Sequence, residues 1–157
     1  MTFVLYLRPS ETLSLQVSSV IRPLRIGPLG MRWYSVLLFP AEAGAPSKTK
    51  DYDISRSWDN AEFHRVPAML EAQLRGRCGS EPLFRLSTRG WIRAFASAGT
   101  ALGLDQLGPP VLYQLRHRGA SHEMLTHARE FGDIKKRGRW EPAPEDAMVA
   151  YADGSSK

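Results

Sequence analysis

The chain has 157 residues, of which 43% are hydrophobic and 24% charged, with a formal net charge of +5 and a single cysteine. This length is typical of one domain, the lone cysteine excludes an internal disulfide, and no apolar run approaches the roughly 20 residues of a membrane helix. The apolar start is interrupted at Arg8, too early for a secretory signal peptide. These features predict an intracellular protein, nuclear or cytoplasmic, and the basic balance favours an anionic partner.

The predicted elements are mostly helical, with one small hairpin. Strands are predicted over residues 31–40 and around residues 52–55, from β-preferring side chains bounded by turn residues. The tip of this hairpin covers residues 46–50. From apolar spacing and from proline and glycine positions, helices are predicted over residues 10–20, 58–75, 88–104, 112–120 or beyond, 131–137 and 145–152.

Two details of this prediction depend on single residues. Pro67 lies inside the second predicted helix and is expected to kink or split it. In the third helix, the inward face is expected to carry Trp91, Phe95, Ala98 and Leu102. The expected fold class is α+β, mainly α, with helices around a small antiparallel hairpin or sheet.

Two arginines, Arg8 and Arg116, have apolar neighbours in the sequence, so each is expected to need an acidic or anionic partner. Arg8 follows an apolar run and has Glu11 three residues later, while Arg116 lies in YQLRHRGAS on a predicted helix. Guanidinium groups stay charged and fork onto oxygens, so two of them from distant parts of the chain could hold one phosphate. The alternative is a helix-end ion pair at Arg8 and an unrelated surface arginine at position 116.

Three further side chains have a chemical and a purely structural interpretation. A hairpin-tip lysine, Lys48 or Lys50, could protonate a leaving oxygen or only aid solubility. Trp140, at the end of KKRGRW, could donate to a phosphate oxygen or anchor a core. Tyr151, on the last predicted helix, could be a nucleophile or an amphipathic core residue.

Metal and cofactor motifs are absent from the sequence pattern. The two histidines of HEMLTH, His122 and His127, are five apart, whereas a zinc-protease helix needs them four apart on one face. The sequence also lacks a glycine-rich phosphate loop and a nucleophile elbow around any serine. We therefore expect neither a metal nor a cofactor.

In chain order, LYLRPSETLSL, SKTK after a strand, YQLRHRGAS, KKRGRW and a tyrosine on the next helix resemble the catalytic domain of tyrosine recombinases. The nearest resemblance is to integrase-like proteins of eukaryotic mobile elements, and it runs from Arg8 to Tyr151. It implies a domain over residues 1–152, partial at its N-terminal side, followed by a short tail over residues 153–157. It also implies a recombinase-like fold.

The resemblance assigns roles residue by residue. The catalytic positions fall on Arg8, Lys48 (with Lys50 as the second choice), Tyr113 in place of the motif's histidine, Arg116, Trp140 and Tyr151. Glu11 falls on the acid that supports the first arginine. The basic stretch from Leu115 to Trp140, with seven Lys and Arg against three acids, is expected to follow the DNA backbone. Its DNA-binding side chains, together with Lys50, would be His117, Arg118, Lys135, Lys136, Arg137 and Arg139.

The implied activity is site-specific recombination or integration, by cleavage and rejoining of DNA through a 3′-phosphotyrosyl intermediate. The implied partner is double-stranded DNA, with several protomers assembled on it. We expect the guanidiniums of Arg8 and Arg116 to face one shallow basic pocket, with Lys48 and Trp140 at its rim. Three alternatives stay open: an inactive, truncated remnant that only binds DNA, a type IB topoisomerase, and a helical interaction protein whose arginines are surface charges.

Overall fold

The computed structural model describes residues 1–24, 33–40, 44, 52–63, 65–104 and 111–140. Within these ranges the protein is α+β and mainly helical, which confirms the predicted class. The helices are α1 (Pro9–Ser14), α2 (Arg65–Leu74), α3 (Thr88–Ala101), α4 (Leu112–Leu125) and α5 (Phe131–Gly138). The strands are β1 (Val20–Ile21), β2 (Ser35–Leu38) and β3 (Ile54–Ser57). The predicted hairpin tip and the predicted helix over residues 145–152 lie outside the described residues.

The chain divides into two compact units, one over residues 13–85 and the other formed by residues 1–12 with residues 86–157. The prediction of one domain over residues 1–152 with a tail over residues 153–157 stays a prediction. None of the helices in the described ranges is long and apolar enough to cross a membrane.

The unit over residues 13–85 is built on a three-stranded antiparallel sheet in the order β1–β2–β3. Val36 pairs with Val20 on one side and with Arg56 on the other. Both Val36 and Leu38 are buried, since alternate residues of a strand point to the same face of the sheet. Other buried apolar residues of this unit are Leu15, Trp58, Leu70, Leu74 and Leu83.

The first helix is much shorter than predicted. It ends at Ser14, a 3-10 turn follows over Val17–Ser19, and Val20 already belongs to β1. The backbone N–H of Val17 donates to the carbonyl of Glu81 at 2.9 Å, and that of Ser18 donates to the carbonyl of Gly79 at 2.9 Å. These long-range hydrogen bonds replace the helical ones, and β-branched valines favour the extended conformation.

Pro67 lies near the start of a helix, and the segment is split into two elements rather than kinked. Helix α2 begins at Arg65, so Pro67 lies in its first turn, where a backbone N–H has no intrahelical acceptor. A separate 3-10 turn over Ala61–Phe63 covers part of the segment predicted as helix. The single predicted helix is thus two shorter elements.

In the other unit, α3 is half-exposed along its length. The side chain of Ser87 caps its start by accepting from the backbone N–H of Gly90 at 3.1 Å. Trp91 and Phe95 are half-buried, but Ala98 is exposed and Leu102 is 72% exposed, against the prediction that they face inward. The reason at Leu102 is that the helix ends at Ala101, before the predicted end at residue 104.

Helices α4 and α5 form the centre of this unit together with residues 1–12. Tyr6, Ala120 and Ile134 are its buried cluster, and Met124 and Trp140 pack against it. Both helices were predicted, α4 with an open C-terminal end and α5 within one residue of its observed bounds. Their packing fixes the geometry of the site that follows.

Candidate anion-binding site

Helix α4 turns charged side chains toward the protein interior. Leu112, Arg116, Gly119 and Glu123 are spaced four, three and four residues apart, which places them on one face of the helix. All four are buried. An arginine and a glutamate therefore occupy positions where a helix usually carries apolar residues.

Arg116 is fully buried, with 0% of its surface exposed. Its Nη2 donates to the carbonyl oxygen of Gly138. Its Nε and Nη1 are also buried and have no hydrogen-bond partner in the part of the chain that the structure describes. Burying unpaired donors of a charged group is costly, so this arrangement calls for an acceptor.

Aromatic rings enclose the Arg116 guanidinium. Its Cζ lies 5.1 Å from the ring centre of Trp140 and 5.9 Å from that of Tyr113, within the range of cation–π attraction. The site is therefore enclosed, in contrast to the shallow pocket expected from the sequence.

Burial lowers the pKa of Arg116 to about 10. Tyr113 and Glu11 favour the charged form, while the positive charges of Arg8 and Arg139 oppose it. The guanidinium therefore stays protonated at neutral pH, and the three arginines and Glu11 share one electrostatic environment. The charges of Arg8 and Arg116, which are 108 residues apart in the sequence, therefore act on one another.

Glu11 binds two guanidiniums. Its Oε1 accepts from Nη1 of Arg8 at 3.0 Å, and its Oε2 accepts from the backbone N–H of Arg8 at 2.8 Å. The same Oε2 accepts from Nη2 of Arg139 at 2.5 Å. The ion pair between Arg8 and Glu11 is the helix-end pair that the sequence offered as the structural alternative at Arg8, whereas the contact with Arg139 was not predicted.

Gly138, Arg139 and Trp140 form a tight turn after α5, here called the GRW turn. Arg139 adopts the left-handed conformation with φ 52°. A side chain at Gly138 would collide with the ring of Trp140, so only glycine fits there. The Trp140 ring lies 5.9 Å from that of Tyr6 and 5.8 Å from that of His117. This turn covers Arg116.

A second set of buried hydrogen bonds joins Tyr6, Glu123 and Arg129. The sequence analysis did not predict it. The Tyr6 hydroxyl donates to Glu123, and Glu123 also accepts from Nε of Arg129 at 2.7 Å. Burial and the neighbouring carboxylate raise the pKa of Tyr6. The ring of Tyr6 therefore has a fixed position under Trp140. Glu123 is the glutamate of HEMLTH, but no sequence pattern connects it with Tyr6.

The remaining basic residues of the predicted DNA-binding stretch differ in exposure. Arg118 and Lys136 are exposed. His117, Lys135 and Arg137 are half-buried. The pKa of His117 is lowered mainly by burial and, to a smaller extent, by the charge of Arg116.

Arg139 differs most from its predicted place on the DNA surface. Its side chain is only 8% exposed, because it reaches inward to the carboxylate of Glu11. Among the catalytic assignments, Tyr113 is 42% exposed. Lys48, Lys50 and Tyr151 lie outside the described residues.

In the described ranges, no group of three or more His, Cys, Asp or Glu side chains is placed to hold a metal ion. The expected lack of a metal or cofactor stays a prediction. Comparison with protein-family models, with curated proteins and with solved structures found no match for this chain.

Proposed function

We propose that this protein binds DNA by a phosphate held between Arg8 and Arg116, and that it cleaves and rejoins the strand in the manner of the tyrosine recombinases. The observation that carries the proposal is the fully buried, charged Arg116, whose Nε and Nη1 nitrogens have no hydrogen-bond partner among the described residues. A recombinase-like fold, an intracellular location and assembly of several protomers on DNA belong to the same proposal.

A phosphate suits this site because of its charge and its oxygens. Arg8, Arg116 and Arg139 carry three positive charges, and Glu11 supplies one negative charge among them. The non-bridging oxygens of a phosphodiester accept from forked guanidinium donors. Because Arg116 is enclosed, DNA binding is expected to move the Gly138 carbonyl away from the guanidinium, so that a phosphate oxygen takes its place while Arg139 and Trp140 keep their positions.

The chemistry follows the roles that the sequence resemblance implies. Arg8 and Arg116 would bind the two non-bridging oxygens and stabilise the charge that grows in the transition state. The indole N–H of Trp140 would add a hydrogen bond. Tyr151 would attack phosphorus to form a 3′-phosphotyrosyl bond, while Lys48 gives a proton to the departing 5′-oxygen. The reverse steps with another 5′-hydroxyl would rejoin strands.

A second candidate is DNA binding without strand transfer. The observation that favours it is Tyr113, whose half-exposed ring lies beside Arg116 at the position of the motif's histidine. A phenol donates a hydrogen bond, but it is a poorer proton shuttle at neutral pH than an imidazole. This candidate needs Arg116 but not Tyr151.

Covalent trapping tests the proposal and separates the two candidates. The probe is a pool of short random-sequence duplexes, each nicked so that the short fragment released with a free 5′-hydroxyl diffuses away and cannot rejoin. We expect a denaturant-resistant protein–DNA adduct with the wild type, and no adduct with Tyr151→Phe, which should still bind the duplexes. DNA binding without any adduct would select the second candidate, and no binding at all would reject both.

A further inference from the structure

The GRW turn contains a charged side chain that has no role in the proposed chemistry. Arg139 Nη2 contacts Glu11 Oε2, while Arg8 Nη1 contacts Glu11 Oε1. The exposed fractions are 8% for the Arg139 side chain and 4% for Glu11, against 23% for Arg8. The Arg139 side chain is thus more deeply buried than that of Arg8, and each arginine side chain binds a different oxygen of the Glu11 carboxylate.

The backbone at Arg139 is unusual for an arginine. Its φ of 52° is left-handed, a conformation in which glycine or asparagine is the common choice after a helix. The neighbouring Gly138 is needed where it stands, because the Trp140 ring occupies the space of a side chain. The ion pair with Glu11 explains why an arginine occupies this strained position.

Sharing one carboxylate between two guanidiniums has an electrostatic consequence. Glu11 is a carboxylate partner of both Arg8 and Arg139, so its negative charge is divided between two guanidiniums. The charges of all three side chains act on Arg116. This sharing leaves Arg8 attractive to an anion while Glu11 fixes its orientation.

We propose that Arg139 is a positioning residue: by holding Glu11, it orients Arg8 toward the phosphate that Arg116 binds, without touching the DNA itself. This inference rests on the proposed phosphate site. It separates Arg139 from the exposed basic residues around it, whose effect on DNA would be direct and additive.

A double-mutant cycle tests this inference through the binding of fluorescent short random-sequence duplexes. Arg8→Met is expected to weaken binding about tenfold, the loss of one charged hydrogen bond. Arg139→Met is expected to weaken it by a similar factor. The double variant should bind no more weakly than Arg8→Met alone, because Arg139 acts only through Arg8.

The salt dependence of DNA affinity separates a positioning role of Arg139 from a purely structural one, which would leave that dependence unchanged. Loss of one phosphate contact lowers the slope of log affinity against log salt by about 0.9, and this change should be the same for each single variant and for the double variant. Lys136→Met removes the same charge from an exposed side chain nearby. Its loss of affinity should multiply with that of Arg8→Met in the corresponding double variant, because an exposed basic side chain would act on DNA directly.

The alternatives give different results. If the losses multiply in the double variant, Arg139 touches the DNA, and if Arg139→Met binds like the wild type, Arg139 only supports the fold; either result overturns the inference. Glu11→Gln, which keeps the shape of the carboxylate, is the second variant should Arg139→Met fail to fold, and the same lack of additivity with Arg8→Met is expected. A wild type that does not bind DNA, or an Arg116→Met variant that binds it equally well, would instead overturn the proposed function.

Discussion

Replacing Arg116 with methionine is expected to abolish DNA binding and, at the same time, to leave the fold as stable as before or more stable. Methionine fills much of the same volume without a buried charge. Replacing buried charges with apolar side chains of similar size is often neutral or stabilising by about 1–3 kcal/mol. The free energy of unfolding, measured with urea at neutral pH, should therefore not fall. A binding site that is costly to keep would explain both effects.

The pH dependence of this variant has a definite sign. The pKa of Arg116 in the folded protein is about 10, below its ordinary value, so the folded state binds this proton more weakly than the unfolded state. The wild type therefore bears the full cost below pH 10 and gains stability relative to Arg116→Met as the pH rises above that value. Urea unfolding of both proteins at neutral pH and at about pH 11 measures the difference.

Arg118→Met is the matched control for these measurements. It removes the same charge two residues away on α4, from an exposed side chain. Its stability should lie within about 0.5 kcal/mol of the wild type, as is usual at the surface. If Arg116→Met is instead destabilised by more than about 2 kcal/mol, the guanidinium is a structural group whose bond to Gly138 supports the fold.

Replacing Gly119 with alanine is expected to cause a large loss of stability in the unit that contains the site. A Cβ at this position would overlap the backbone carbonyl of Phe3, and backbone cannot move aside as a side-chain end does. Overpacking of this kind costs about 3 kcal/mol. Urea unfolding should show this loss, with a parallel loss of DNA binding because the segment that carries Arg8 is displaced from α4.

Gly132→Ala provides the control on α5. Nothing lies within 4 Å of a Cβ at this helical position, so the change should stabilise the protein by about 0.5–1 kcal/mol, the usual gain of alanine over glycine in a helix. Equal stabilities for the two alanine variants would mean that the backbone of Phe3 does not lie against Gly119 as described.

The elements that the sequence predicted well are those with a local signal. Helices α4 and α5 follow from apolar spacing between clear breaks, and the ion pair between Arg8 and Glu11 follows from a three-residue spacing at a helix start. The first helix was predicted too long because its continuation depends on residues far along the chain. The carbonyls of Gly79 and Glu81 accept hydrogen bonds from residues 17 and 18, and no local pattern indicates that.

The sequence drew attention to Arg8, Glu11 and Arg116, but it did not predict their geometry. The residues around Arg116 in YQLRHRGAS indicated a functional arginine. They did not predict its complete burial, because helix faces that point into a protein usually carry apolar residues. The contact between Arg139 and Glu11 joins residues 128 positions apart. The acceptor for Arg116 is the backbone of Gly138, and backbone carbonyls carry no sequence signal.

The most direct test of the central claim is to observe the Arg116 side chain while DNA binds. In ¹⁵N-labelled protein, the arginine Nε–Hε resonances report each guanidinium, and Arg116→Met identifies the signal of residue 116. During titration with short random-sequence duplexes, we expect this signal to shift and saturate together with that of Arg8, since a phosphate oxygen replaces the Gly138 carbonyl. If only exposed arginines such as Arg118 shift, while the signal of Arg116 stays unchanged at saturation, Arg116 does not hold a phosphate, and the proposed site is contradicted.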